Sequence, residues 1–164
     1  MRKNIEYPKS PIAGVGVVVF RNEEVLLVKR KKAPYKGQWS IPGGKQRLGE
    51  TVTQAARREL MEETGVEVNE LTLIDVIDII VPDEEGKILY HYIVADYRAH
   101  WLSGECSPGD DAQDVQWFNL NKLGSISLLD KTKNIILKAV GKPDSTGVVC
   151  KVKSFLELIY CLIP

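Results

Sequence analysis

The sequence lacks an excess of charge of either sign, because 22 lysines and arginines balance 22 aspartates and glutamates among 164 residues. A net field that would attract nucleic acid, a membrane surface or an acidic protein is therefore missing. No apolar run is long enough to cross a bilayer, and prolines and charges interrupt the apolar start of the chain. We expect no nucleic-acid or membrane partner, and any electrostatic function to be local.

Cysteine and histidine are also scarce. Cys106, Cys150 and Cys161 are scattered and form neither a metal pattern nor a disulfide framework, which is typical of a reducing, cytoplasmic setting. His91 and His100 have no partner at a matching spacing, so a zinc site is not expected.

The length of the chain fits one domain, residues 1–164, with a core at about 11–140. The apolar tail, 141–164, has no clear pattern. It is compatible with a short helix or strand on the core, or with an interface in a homodimer.

Apolar periodicity predicts strands mixed with helices. Runs rich in β-branched residues and bounded by turn residues predict five strands, at 12–20, 24–30, 71–81, 87–99 and 114–120. Helical spacing predicts two helices, at 52–64 and 131–140. Repeated proline and glycine between them predict a long loop at 31–50 around one short extended piece. We therefore expect an α/β fold with a mixed sheet between helical layers.

Three glutamates, Glu59, Glu62 and Glu63, stand near the end of the first predicted helix, where like charges repel and the helix dipole favours cations. At about 100° per residue they overlap the apolar stripe of the helix, so the acids are predicted to face inward. That stripe consists of Val52, Ala55, Ala56 and Leu60.

A hard divalent cation would compensate this charge. Arg58 neutralises part of it, but one guanidinium cannot neutralise three acids. Mg²⁺ and Mn²⁺ prefer oxygen ligands, and Mg²⁺ commonly bridges carboxylates to substrate phosphates. Gly43 and Gly44 would allow a backbone carbonyl to join such a site, although a simple tight turn after Pro42 explains them equally well.

The spacing of these residues resembles the Nudix box at every defined position. The box begins at Gly44, continues with Glu50 after five residues, and ends seven residues later in the segment RELMEETGV, residues 58–66. The resemblance extends over about 11–123. It implies an α/β/α sandwich around a mixed sheet and hydrolysis of a nucleoside diphosphate linked to another moiety, with Mg²⁺ or Mn²⁺.

The resemblance also implies roles for individual residues. In that family the carboxylates matching Glu59, Glu62 and Glu63 bind metal, together with the carbonyl at Gly44. The residue matching Arg58 orients box carboxylates by ion pairing, and Glu50 belongs to the same network.

The general base stays open at this level. Glu62 and Glu63 are candidates within the helix, and Asp110, Asp111 and Asp114 are candidates in the loop before the last strand. A solvated turn would explain the acidic loop as well.

Several residues outside the box are candidate substrate contacts. Arg30 belongs to the only basic concentration in the sequence and is the preferred phosphate contact. Asp111 is a second candidate. Aromatic residues could stack on a base or pack in the core, with Trp39 preferred for stacking. The other aromatic candidates are Tyr35, Tyr97 and Trp117.

Pro82 bears on the choice of substrate. A proline at about this distance from the box is a marker of ADP-ribose-hydrolysing members, whereas the dinucleoside-polyphosphate subgroup tends to have tyrosine where this chain has Glu84. Proline also suits the turn VPDEEGK. The resemblance favours ADP-ribose or a nucleotide sugar; the alternatives are a nucleoside-triphosphate pyrophosphohydrolase that removes oxidised nucleotides and a non-catalytic nucleotide sensor.

Overall fold

The computed structural model describes residues 5–32, 35–109, 111–143 and 147. The prediction for the tail therefore falls almost entirely outside the described residues, as does the candidate base Asp110.

The described residues form eight strands, two α-helices and one 3₁₀ helix. The strands are β1 (Ile12–Arg21), β2 (Glu24–Arg30), β3 (Trp39–Ser40), β4 (Gly43–Lys45), β5 (Glu67–Val68), β6 (Thr72–Pro82), β7 (Ile88–Ser103) and β8 (Ala112–Asn119). The helices are α1 (Val52–Thr64), α2 (Asp130–Gly141) and the 3₁₀ helix Leu120–Ser125.

Local sequence determines both ends of α1. The Thr51 hydroxyl accepts a hydrogen bond from the Gln54 amide N–H, and the Gln54 side chain accepts one from the Thr51 N–H. At the other end Gly65 adopts a left-handed conformation, φ 71°, which glycine tolerates without steric cost. The predicted helix at 52–64 is confirmed.

The strands form a mixed sheet. β1 runs parallel to β7 from Ile12 to Phe20, whereas the pairs β1–β2, β2–β8 and β6–β7 are antiparallel. α1 and α2 lie on opposite faces of this sheet, each over its own apolar cluster. The expected α/β/α sandwich is therefore confirmed.

One edge of β1 pairs with two different strands. On one side of that strand β4 pairs at Gly14–Gly16, while β2 pairs only at Phe20 and Arg21. Away from the hairpin contact β1 and β2 diverge, and in the opening between them β4 pairs with β1 and β3 pairs with β2.

Some expectations differ from the structure. The loop at 31–50 holds two short strands, β3 and β4, rather than one extended piece, because each pairs with a strand distant in sequence. Val52 was expected in the buried stripe of α1 but is 37% exposed, because it lies in the first turn of the helix. No described helix is long and apolar enough to span a membrane.

Candidate active site

Arg58 connects most of the acids that the sequence singles out. Its Nε and Nη2 donate to the two carboxylate oxygens of Glu50 at 2.5 and 2.8 Å, and its Nη1 donates to Glu59 at 2.6 Å and Glu62 at 3.1 Å. Nη2 also donates to the carbonyl of Lys45 at 3.0 Å. One half-buried guanidinium thus holds three carboxylates and the strand β4 together.

Glu50 is the most strongly stabilised of these acids in its charged form. Hydrogen bonding from Arg58, with a further bond from the Arg47 backbone N–H, lowers the pKa of Glu50 to about 2. The same contacts raise the pKa of Arg58. This pair therefore stays ionised across the physiological range.

Glu59 lies directly against β4. A Cβ atom at Gly44 would lie 2.4 Å from the Glu59 carboxylate, well inside van der Waals contact. The side chain of Glu59 is only 16% exposed. Glycine at position 44 therefore makes the space that this carboxylate occupies.

Glu63 faces the interior from the last turn of α1. Its Oε2 accepts a hydrogen bond from the Gly43 N–H at 2.9 Å. Burial raises the pKa of Glu63 to about 7; the charges of Glu59 and Asp111 contribute to this increase, whereas the Gly43 hydrogen bond and the charge of Arg30 oppose it. The site therefore contains two carboxyl groups, Glu50 and Glu63, with strongly different proton affinities.

Glu62 differs from its two neighbours, because its side chain is 47% exposed. Its carboxylate is bound by Arg58 and, on the outer side, by Arg47 at 3.1 Å. The expectation that all three acids face inward is therefore wrong for Glu62, which lies at the edge of the helix stripe.

The loop before β8 docks on the end of α1. The backbone N–H groups of Ser107 and Gly109 donate to the carbonyls of Thr64 and Glu63, both at 3.0 Å, which satisfies orphan acceptors of the helix end. A Cβ at Gly109 would lie 1.9 Å from the Glu62 carbonyl oxygen, so only glycine permits this approach. Docking brings Asp111 close enough to influence Glu63, and Asp111 also forms an ion pair with Lys32.

A cavity of about 500 Å³ lies in the opening beside β1. One end is lined by Gly43, Gly44, Glu59 and Glu63. The other end lies under the start of α2. The cavity therefore joins the carboxylates to a second chamber on the opposite face of the sheet, within the size range of small-molecule sites.

The donor set suits a hard divalent cation. Glu59 and Glu63 line the cavity together with Gly43 and Gly44, so carboxylates and backbone groups share this end of the cavity. Among the described residues, no three His, Cys, Asp or Glu side chains converge as a ready metal-binding group. A cation held by all three glutamates would require Glu62 to turn inward, away from Arg47.

The predicted substrate contacts divide into two groups. Arg30, Asp111 and Tyr35 line the cavity. Trp39 does not; its ring packs edge-to-face on Phe118 with centroids 4.7 Å apart. Packing also explains two other aromatic candidates, since Tyr97 is buried in the α1-side core and Trp117 lies under the Arg21 guanidinium at 4.2 Å.

Two further predicted residues lie outside the cavity lining. Asp114 hydrogen-bonds to the Val115 N–H and to the Gln116 amide within β8. Pro82 ends β6 on the exposed side of the hairpin, where turn formation accounts for it. Of the candidate bases, only Glu63 and Asp111 among the described residues line the cavity.

Sequence reasoning missed Tyr92 and Asp96, which line the far chamber from β7. The only available signal was an acid inside an otherwise apolar strand run, IVADY, where a buried charge is costly.

Comparison with known proteins decides the family. A family model described as the NUDIX domain matches residues 10–140. The chain belongs to the Nudix family. Nudix hydrolases act on acid anhydrides in phosphorus-containing compounds, so the predicted enzyme class and the resemblance of residues 44–66 are confirmed.

Two Nudix relatives illustrate the range of substrates. An ADP-ribose pyrophosphatase of Methanocaldococcus jannaschii is 33% identical over 117 residues, covering 71% of this chain and 67% of that protein. An oxidized purine nucleoside triphosphate hydrolase of Danio rerio is 36% identical over 107 residues, 65% of each protein. This chain thus matches slightly less than two thirds of the second relative.

Two solved structures show the same Nudix fold. The MutT NUDIX hydrolase from Burkholderia pseudomallei has a TM-score of 0.70 and 33% identity, covering 79% of this chain and 98% of that one. A bifunctional NMN adenylyltransferase/ADP ribose pyrophosphatase from Francisella tularensis, complexed with AMP and a Mn ion, has a TM-score of 0.57 and 30% identity, covering 79% and 41%.

Proposed function

We propose that this Nudix protein hydrolyses the pyrophosphate bond of ADP-ribose or a related nucleotide sugar, with Mg²⁺ or Mn²⁺. The observation that carries the proposal is the cavity beside β1, which has hard oxygen donors at one end and an apolar chamber at the other. Such a cavity suits a substrate with a pyrophosphate attached to a nucleoside. The ADP-ribose pyrophosphatase relative supports the choice of substrate.

Glu59, Glu63 and the Gly44 carbonyl, with Glu62, would hold the divalent cation. When bound, it would screen the charge of the pyrophosphate and make a bound water more acidic. Arg58 positions Glu59 and Glu62 and also ties Glu50 to β4. Arg30 would contact a phosphate from the cavity wall, and Glu63 or Asp111 would accept the proton of the attacking water.

The experiment is a substrate panel containing ADP-ribose, nucleotide sugars and nucleoside triphosphates, each with Mg²⁺ or Mn²⁺, with the released nucleotide identified. We expect AMP from ADP-ribose. The variant Glu63→Gln should lose turnover while it keeps its fold, and Glu67→Gln, an exposed neighbour on β5, should behave as wild type.

Other outcomes of the substrate panel and of the Glu63→Gln measurement would favour a different function. Undiminished turnover in Glu63→Gln would contradict the metal assignment. Preferred release of pyrophosphate from nucleoside triphosphates would favour the nucleotide-cleansing alternative, which the Danio rerio relative supports. No turnover of any substrate would favour a nucleotide sensor.

A further inference from the structure

The far chamber of the cavity is built on β7 and its neighbours. Alternate residues of a strand face the same side, so Tyr92, Val94 and Asp96 all line this chamber. Ile77 and Ile79 of β6 line it beside them. The walls that β6 and β7 contribute are thus apolar apart from Tyr92 and Asp96, while the start of α2 adds Asp130, Lys131 and Thr132.

Asp96 is buried without a hydrogen-bond partner. It is only 3% exposed, and no described residue donates a hydrogen bond to its carboxyl group. Lys138, the cation whose charge acts on it, is already paired with Asp75. The Asp96 oxygens are not sealed in the core but face the cavity, so a bound molecule rather than the fold would supply their hydrogen bond.

The absence of a side chain at Gly16 leaves room for the carboxyl group of Asp96. A Cβ at Gly16 would lie 2.3 Å from Oδ1 of Asp96. The carboxyl group thus lies directly over the β1 backbone, in the floor of the chamber, where a bound molecule would meet it.

Strand register relates Asp96 to the pyrophosphate end. Gly16 pairs with Gly43 on one side and with Asp96 on the other. With strands about 4.8 Å apart, the Cα atoms of Gly43 and Asp96 are separated by about 10 Å. A ribose together with a purine ring spans such a distance, so a nucleotide whose phosphates lie beside Gly43 would place the far edge of its base, with the exocyclic amino group, near Asp96.

We propose that Asp96 selects the nucleobase of the substrate by accepting a hydrogen bond from its exocyclic amino group. This inference rests on the proposed function, because it assumes a nucleoside diphosphate in the cavity. An amino group would supply the donor that Asp96 lacks, while the apolar walls contact the faces of the ring.

Adenine carries the groups that Asp96 can pair with. Burial raises the pKa of Asp96 to about 7; the charge of Asp75 adds to the increase and that of Lys138 opposes it. Near neutral pH part of the population carries a proton, so the same group also donates to a ring nitrogen beside the amino group. Adenine offers this pair at its amino group and N1.

The test compares binding of AMP and purine riboside 5′-monophosphate, which keeps the ring nitrogen N1 but has hydrogen in place of the exocyclic amino group. Calorimetry on the full chain with Mg²⁺ should show AMP binding about tenfold or more tightly, since an unpaired buried polar group costs about 1–3 kcal/mol. In Asp96→Ala the two affinities should agree within about twofold. Asp96→Asn should keep a preference for AMP, because its amide carbonyl still accepts.

The control is Asp78→Ala, since Asp78 is exposed on the opposite face of β6 and should leave the ratio unchanged. A purely structural role of Asp96 would weaken both ligands equally. An unchanged ratio of the two affinities in Asp96→Ala therefore overturns the proposal, as does a wild-type ratio of one. If Asp96→Ala does not fold, Asp96→Val replaces it.

Turnover of ADP-ribose is measured separately. A protein that discriminates AMP from purine riboside 5′-monophosphate through Asp96 but hydrolyses no substrate refutes the proposed function and supports the role of Asp96. Turnover without discrimination refutes the role of Asp96 alone.

Discussion

Replacing Asp96 by asparagine should make the free energy of unfolding less dependent on pH. Burial raises the pKa of this carboxyl from 3.8 to about 7. Between those values the folded protein keeps a proton that the unfolded chain releases, so wild-type stability falls as pH rises from about 4 to about 7 and levels off above. Three pH units at about 1.36 kcal/mol each give a loss of about 4 kcal/mol.

Asparagine cannot ionise, so this loss should disappear. The difference in unfolding free energy between Asp96→Asn and wild type should grow by up to about 4 kcal/mol between pH 4 and pH 8, a large share of typical domain stability. Urea unfolding of the metal-free proteins at four pH values, followed by tryptophan fluorescence, measures it. Glu63 also titrates near 7, but it is common to both proteins and cancels. Parallel stability curves would refute the reasoning, and Asp78→Asn is the matched control.

Three further predictions concern the site and its helix. Gly44→Ala forces its Cβ onto Glu59 and should lower kcat/KM about 100-fold. Gly86→Ala is strained at φ 82° but meets no neighbouring atom in its turn, so it should lower stability and leave kcat/KM unchanged; equal activities of the two variants would contradict this. Mg²⁺ at 100 times its Kd should raise the free energy of unfolding of the wild type by about 2.7 kcal/mol, measured by thermal unfolding. The same Mg²⁺ concentration should stabilise Glu63→Gln less, and equal stabilisation of both proteins would show that Glu63 is not a ligand. Thr51→Ala removes the capping box and should lower the free energy of unfolding by about 1 kcal/mol, measured with urea, while kcat stays unchanged. An unchanged urea midpoint would contradict this prediction.

Local signals were sufficient to predict α1 and the long strands. Thr51, Gln54 and Gly65 define the helix ends through contacts a few residues apart, and β1 and β2 are apolar runs joined by a short turn. Such contacts can be inferred from neighbouring residues, so these elements were predicted correctly.

Long-range pairing could not be inferred in this way. β3 and β4 are two and three residues long, and they are strands only because β2 and β1 lie beside them. The same limit applies to Asp96, whose importance depends on facing Gly16 across the parallel β1–β7 pair.

The candidate site was predicted in part. Helical spacing placed Glu59 and Glu63 on the inward side, but it did not show that Glu62 lies at the edge beside Arg47. Nor could spacing show that Trp39 packs on Phe118 rather than lining the cavity, because that depends on where β3 joins β2.

The opening in the sheet beside β1 is approached by two separate groups of residues. The acids of α1 reach the cavity from one face, whereas Asp96 and the start of α2 reach it from the other. Because different helices cover the two faces, residues of the far chamber can be exchanged without disturbing the hydrogen bonds of Arg58. A lineage with this architecture can acquire a new base preference while its hydrolytic machinery stays constant, and engineered changes of substrate should begin at Ile77, Ile79 and Asp96.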